Sequence, residues 1–322
     1  MIKDEIENII RELGYGGFSV EVPADNKFGD YSTNVAMKLG GNPRETAEKI
    51  ADSIKHQVSS AKLFERIEVA GPGFINFFIS GEYLQKELKN ILKQKNKYGC
   101  GGKGKGKTVV IDYSGVNIAK PFGIGHLRST IIGQAIYNLH KCLGYKVIGD
   151  NHIGDWGTQF GKLIYAIKTW GSEKDIKNYS IKSLLALYVK FHEEAEKNPE
   201  LKAEGRRWFE KLEKGEKEPQ KIWKECVKIS LKEFKRIYEM LGVNIDLTLG
   251  ESFYAPMSKE VVKEAVDRKV AKRSQGALII EFQESALPPL LIEGSDGATL
   301  YATRDLAAIK YRAEKLKADK II

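Results

Sequence analysis

At 322 residues, with 42% hydrophobic and 30% charged residues, the chain has an ordinary globular composition and length enough for two domains, each with its own core. No apolar run reaches membrane-spanning length and no apolar signal segment opens the sequence, which argues against a membrane or secreted protein. The three cysteines, Cys100, Cys142 and Cys226, form no CxxC pair and read as reduced cytosolic thiols, and the net charge of +9 suits a polyanionic partner.

In chain order, Ile2, Ile6, Ile9, Ile10 and Leu13 recur at helical spacing and stop at Gly14, which predicts a first helix. Phe18–Val22 reads as a strand. Asn42-Pro43 predicts a helix start, with proline at the first helical position, and the helix runs to about Val58. Phe64–Ala70 and Phe74–Ile79 flank the turn Gly71-Pro72-Gly73 and predict a hairpin. A lysine-rich helix from about Glu82 to Lys97 closes a small α+β domain, residues 1–97. Residues 98–107 are glycine-rich and basic, the composition of a linker. They bring a formal phosphate-loop match, G-x-x-x-x-G-K-T at Gly101–Thr108. Such a loop must follow a strand and open a helix, so that helix amides and lysine meet the phosphates. Here a helix precedes and a strand follows, so Lys107 and Thr108 read as linker and not as an NTPase site.

From residue 108 the pattern becomes strand, helix, strand, helix: Thr108–Tyr113, Leu127–Leu143, Tyr145–Asp150 and Trp156–Thr169. The second of these carries Ile131, Ile132, Ala135, Ile136 and Leu139 on one face. The alternation predicts an α/β domain over residues 108–322 built on a doubly wound, Rossmann-like parallel sheet. Residues 172–240 are highly charged and helix-patterned, a helical insertion. Ser258, in Met257-Ser258-Lys259, reads as a helix cap. Strand signals return at Ala277–Phe282, Leu290–Glu293 and Ala298–Tyr301, and a helix follows from about Asp305 to Leu316.

Three segments carry the chemistry. Gly123-Ile124-Gly125-His126 follows the first strand of the α/β domain and opens a helix. Glycines there admit a ligand to the backbone, and the free N–H groups of a first helical turn favour phosphate. His126 either caps that helix or donates to a phosphate as a leaving group departs. The loop Gly149–Gly161 follows the next strand with His152 among its polar groups, and loops after adjacent strands converge on the ligand crevice of an open sheet. In the third segment, Asp296–Leu306, Thr303 and Asp305 suit helix capping, while Tyr301 and Asp305 also suit a cationic ligand.

Together these segments resemble the class I arginyl-tRNA synthetases. The matching runs are Asn117-Ile118-Ala119-Lys120-Pro121, Gly125-His126-Leu127-Arg128-Ser129, Gly149–Gly161 and Asp296–Asp305. Phe28–Ala36 and Gly71–Phe78 match in the N-terminal part. The resemblance implies arginine–tRNA ligase activity: ATP with Mg²⁺, L-arginine and tRNA(Arg) react through an arginyl-adenylate. It implies that Gly123, Gly125 and His126 bind ATP and stabilise the transition state, with Gly125 leaving room for adenine. It places Asn117 and His126 at the amino-acid end of the arginine pocket, and Tyr301, Asp305 and Glu251 around the guanidinium. It assigns the tRNA D-loop to the N-terminal domain through Phe74 and Asn76. A carboxylate meets a guanidinium fork in two parallel bonds and an aromatic face stacks on it, so such a pocket discriminates against lysine by about 3–5 kcal/mol. A cytoplasmic monomer with no protein metal site is expected.

Three departures accompany the resemblance. Gly123 stands where the family usually has histidine, and Gly115-Val116 stand where a Ser-Pro usually precedes Asn117. The sequence stops before the lysine-containing second signature loop and the anticodon-binding domain, so it reads as a partial synthetase. The alternative is a non-catalytic remnant that binds tRNA or arginine.

Overall fold

Isoleucines at helical spacing build the first core. Helix α1 (Ile2–Glu12) buries Ile6, Ile9 and Ile10, and they pack with Ile50 and Ile54 against Ile75 and Phe77. The computed structural model describes residues 2–56, 62–173, 175–282, 287–295 and 297–322, and the chain divides into two units, Met1–Cys100 and Gly101–Ile322. In the first unit β1 (Val20–Glu21) and β2 (Tyr31–Thr33) precede α2 (Pro43–His56), β3 (Phe64–Ala70), β4 (Phe74–Ile79) and α3 (Gly81–Gln94). Asn42 Oδ1 accepts the Arg44 N–H at 3.1 Å, capping α2 ahead of its proline as expected. The end of that predicted helix, near Val58, lies outside the described residues. The strand expected over Phe18–Val22 shrinks to two residues, and β2 is too short to have left a period-2 signal. The hairpin forms where predicted, with Ala70 opposite Phe74, within an antiparallel sheet of order β1-β2-β4-β3.

The second unit is organised by a parallel sheet in which β5 (Thr108–Asp112) is central. Helix α4 (Ile124–Cys142) crosses from it to β6 (Lys146–Asp150) on one side. The last strand, β10 (Lys320–Ile321), pairs with β5 on the other side, which makes the order β10-β5-β6. Alternation along β5 sends Val109, Ile111 and Tyr113 into a cluster with Tyr137, Phe234 and Tyr238. Strand order reverses at β5, and a crevice at such a reversal is where open α/β sheets bind ligands.

Between β6 and β10 come α5 (Thr158–Trp170) and the helical insertion α6 (Ile181–Lys197), α7 (Glu200–Glu213) and α8 (Lys217–Leu241). Helices α5 and α7 touch backbone to backbone: a Cβ on Gly161 would collide with the Gly205 carbonyl. Then follow α9 (Glu251–Tyr254), α10 (Ser258–Asp267), β7 (Lys272–Ser274), β8 (Ala277–Ile280), β9 (Leu290–Glu293) and α11 (Tyr301–Glu314). Among the described residues no helix is long and apolar enough to cross a membrane.

Several local expectations are corrected. Helix α4 begins at Ile124, so Gly125 and His126 sit in its first turn and not ahead of it. Its buried face is Thr130, Gly133, Gln134 and Tyr137, whereas Ile131, Ile132 and Leu139 are exposed. Gly133 sets that orientation, because a Cβ there would collide with the Tyr113 side chain. The late strand signals do not join the parallel sheet: β7, β8 and β9 form a separate antiparallel sheet. Ala298–Tyr301 forms no strand of its own: Thr299 bridges Glu293, and α11 starts at Tyr301. Ser258 does not cap α10 with its side chain; it is buried and its hydroxyl donates back to the Tyr254 carbonyl at 3.5 Å. Cys100 and Cys142 are disulfide-bonded, against the expectation of three reduced thiols, and Cys226 is buried and free.

Candidate active site

The segment after β5 is held in an unusual backbone shape. Ser114, Gly115 and Ala119 have φ of 78°, 61° and 59°, in the left-handed region that disfavours side chains. Hydrogen bonds fix it: the Ser114 and Tyr238 hydroxyls are 2.6 Å apart, Gly115 N–H donates to Asn151 Oδ1 at 3.0 Å, and Ala119 N–H donates to Ser230 at 2.9 Å. The loops after β5 and β6 join through a parallel bridge between Asn117 and Gly154. A Cβ on Gly154 would overlap the Asn117 side-chain amide. Gly154→Ala is therefore expected to displace Asn117 and destabilise the unit by about 1–3 kcal/mol, the usual cost of overpacking, measured as a lowered melting temperature.

At the start of α4, the backbone N–H of Gly123 donates to His126 Nδ1 at 3.0 Å. The two readings of His126 are therefore compatible. With Nδ1 accepting, a neutral ring carries its proton on Nε2, so the residue that closes the helix start keeps a second ring nitrogen as a donor. Gly123 and Gly125 are exposed beside it. Phe122 stacks obliquely on His126, with ring centroids 5.6 Å apart, and meets Tyr238 edge-on at 6.2 Å.

A second, acidic cluster forms where α11 crosses the carboxyl ends of β5 and β6. Arg312, 4% exposed, donates from Nε and Nη2 to Asp150 Oδ2 at 3.0 and 2.8 Å, and from Nη2 to Asp112 Oδ2 at 2.9 Å. About two turns toward the start of α11, Arg304 Nε donates to Glu251 Oε2 at 2.9 Å, with both side chains nearly buried. Asp305 Oδ1 lies 3.7 Å from His152 Nε2. Tyr301 is 60% exposed, and its phenol is raised by burial and by the charges of Asp305 and Glu251. Burial also raises the Asp305 and Glu251 carboxyls above the ordinary range, opposed in both by Arg304. Burial lowers His152 and holds its ring neutral at physiological pH.

Tyr301, Asp305 and Glu251 thus lie close enough to act on one another's charge around Arg304, while Gly123, Gly125 and His126 form the start of α4. Asn151 and His152 span the two, the first bonded to Tyr238 at 3.1 Å and the second facing Asp305. Glu251 arrives with one oxygen already engaged by Arg304, which the sequence reading did not anticipate. Thr303, not Asp305, serves the start of α11, accepting the Leu300 N–H at 3.2 Å and leaving the Asp305 carboxylate for other partners. Asp296 lies outside the described residues. In the first unit, Asn76 is 3% exposed and its Oδ1 accepts from Ser32 at 2.8 Å, whereas Phe74 is 40% exposed. No set of three or more His, Cys, Asp or Glu that could hold a metal occurs among the described residues. Arg304, Arg312 and Asp112 were not singled out from the sequence; the one signal was a charged pair, Arg304-Asp305, inside an otherwise apolar helix start.

Residues 87–322 match the family model for the catalytic domain of class I (R) tRNA synthetases, and residues 1–79 match that for the arginyl tRNA synthetase N-terminal domain. The chain is 45% identical over 314 residues to the arginine–tRNA ligase of Halothermothrix orenii, covering 97% of this chain and 55% of that protein. It is 42% identical over 325 residues to that of Clostridioides difficile, covering 100% of this chain and 56% of that protein. The chain therefore spans little more than half the length of these curated relatives. The arginyl-tRNA synthetase structure from Plasmodium falciparum aligns with a TM-score of 0.80 at 26% identity, over 99% of this chain and 58% of that one. The Thermus thermophilus arginyl-tRNA synthetase aligns with a TM-score of 0.74 at 21% identity, over 98% and 53%, a likeness of fold.

Proposed function

Because the chain belongs to the class I arginyl-tRNA synthetase family, we propose that it supplies the adenylate-forming site of a cytoplasmic, monomeric arginine–tRNA ligase. ATP enters as its Mg²⁺ complex, the arginine carboxylate attacks the α-phosphate, and pyrophosphate leaves. The terminal ribose hydroxyl of tRNA(Arg) then takes the arginyl group and releases AMP. The observation that carries this reading is that the loop after β6 adjoins both a phosphate-suited helix start, through Asn151, Tyr238 and Phe122 beside His126, and the acidic group, through His152 facing Asp305. His126 Nε2–H, held outward by the Gly123 bond, meets the phosphates, and the exposed Gly125 lets the nucleotide approach the backbone. Asn117 orients the amino-acid end. The guanidinium enters between Tyr301 and Asp305, with the free oxygen of Glu251 as a further acceptor. Phe74 stacks on a D-loop base, and the Asn76 amide nitrogen is left to contact its edge.

The test is calorimetric binding of a non-hydrolysable arginyl-adenylate analogue to this 322-residue chain, against its lysyl counterpart. Preference for the arginyl form by tenfold or more is expected, and equal affinities would reject the reading. His126→Ala should cut arginine-dependent pyrophosphate exchange by about 10²–10³-fold, the usual loss on removing one preorganised donor to developing charge. Lys107→Ala should leave nucleotide binding unchanged, since Lys107 is exposed and leads into β5 and not into a helix.

A further inference from the structure

Among the described residues, four buried side-chain polar atoms have no partner of good hydrogen-bond geometry: Asp150 Oδ1, both ring nitrogens of His152, and the Tyr254 hydroxyl, although the Leu249 backbone lies close enough to act on both Asp150 and His152. They are neighbours. The His152 and Tyr254 rings are 5.3 Å apart at 31°, and the Asp150 charge acts on the Tyr254 phenol. Buried polar groups are almost always paired, so these atoms call for partners, supplied by water or by a small shift of a neighbouring group. The His152 side chain is 10% exposed, and the group its Nε2 faces is Asp305, at 3.7 Å. That separation exceeds a hydrogen bond, and a small rotation of the carboxylate closes it.

The chemistry fixes which way such a bond must run. An ionised carboxylate only accepts, so the imidazole nitrogen facing it must be the one that carries hydrogen. The charges around the ring, Asp112 and Asp305 on one hand and Arg304 and Arg312 on the other, oppose one another, and burial keeps the ring uncharged. We propose that His152 is a positioning residue for arginine selection: when arginine binds, its Nε2–H donates to Asp305 Oδ1 and turns the carboxylate so that it meets the guanidinium fork. No proton is transferred. The inference rests on the reading of this pocket as the arginine site.

The test is a double-mutant cycle on the 322-residue chain, with calorimetric affinity for the arginyl- and lysyl-adenylate analogues as readout. His152→Ala is expected to weaken the arginyl analogue roughly tenfold to a hundredfold, the range for a hydrogen bond to a charged group. It should leave the lysyl analogue little changed, so that discrimination collapses. His152→Gln, whose amide N–H reaches the same position, should recover most of the loss. In an Asp305→Ala background, His152→Ala should have no further effect, because it acts through that carboxylate. Equal losses for both analogues, no recovery in His152→Gln, or an undiminished effect without Asp305 would each overturn the proposal. If Asp305→Ala itself left the arginyl analogue's affinity unchanged, the assignment of the pocket would fall instead.

Discussion

Replacing Asp305 with alanine is expected to weaken binding of the arginyl-adenylate analogue by about 2–4 kcal/mol, roughly thirtyfold to a thousandfold. Of the four described carboxylates Asp112, Asp150, Glu251 and Asp305, Asp305 is the one to which no arginine of the protein is hydrogen-bonded: Glu251 holds Arg304, and Asp112 and Asp150 share Arg312. A substrate guanidinium entering this crevice would therefore find its strongest bidentate acceptor there. Asp305→Asn should be nearly as damaging, since it removes the charge and points two donors at a group that has only donors. Adenosine binding alone should be unaffected, which separates a local loss from a collapsed fold.

The same carboxylate makes arginine affinity depend on pH in a stated direction. Burial raises the Asp305 pKa above the ordinary aspartate value near 4. Binding needs the ionised form. Affinity should therefore be full at neutral pH and fall as pH drops through that raised value, earlier than an exposed aspartate would allow. Calorimetry at a series of pH values reads this directly, and the acid limb should vanish in Asp305→Ala.

The second large effect concerns stability. Arg312→Met keeps the length of the side chain but leaves Asp150, wholly buried, and Asp112 facing each other without a counter-charge. Removing one partner of a buried ionic group costs about 3–5 kcal/mol, equivalent to a melting point lower by about 10 °C in a unit of this size. The pH dependence follows from the sign of the shift. Burial already raises Asp150, and Arg312 opposes that rise; without Arg312 the folded-state pKa climbs further. A carboxyl with a folded pKa above its unfolded value binds its proton more tightly when folded, so its stabilisation is present below the unfolded value and is lost as pH rises through the folded one. The deficit of Arg312→Met against the parent should thus be small near pH 4 and largest at pH 7 and above. A deficit independent of pH would show that lost packing, and not the uncompensated carboxylates, dominates.

How far the site was legible depended on how local its signals are. Glycine beside histidine at a strand-to-helix turn is a contiguous pattern, and so is the Gly149–Gly161 loop; both were found. Helix α4 shows where the same logic misleads. Its isoleucines at helical spacing pointed to one buried face, yet the face against the sheet is Thr130, Gly133, Gln134 and Tyr137, because Gly133 alone allows the helix to approach Tyr113. Residue hydrophobicity carried the wrong weight there, and close backbone approach decided the orientation. The start of α11 moved for a related reason. Thr303 takes the Leu300 N–H, so the helix opens at Tyr301 and places Tyr301 and Asp305 on consecutive turns of one helix.

The sequence by itself determined the class of fold, the position of the glycine-histidine turn and the family, because each is written in short contiguous patterns or in their order along the chain. Only the tertiary structure decided which charges meet. Arg312 reaches Asp112 across 200 residues and Asp150 across 162, and Arg304 reaches Glu251 across 53. Periodicity reports which residues share a face of one element, whereas these pairings arise when the β5–α4–β6 crossover and the return to β10 bring strand ends and helix α11 to one edge of a sheet. Which carboxylates are already neutralised, and therefore which one is left for a cationic ligand, follows from that packing.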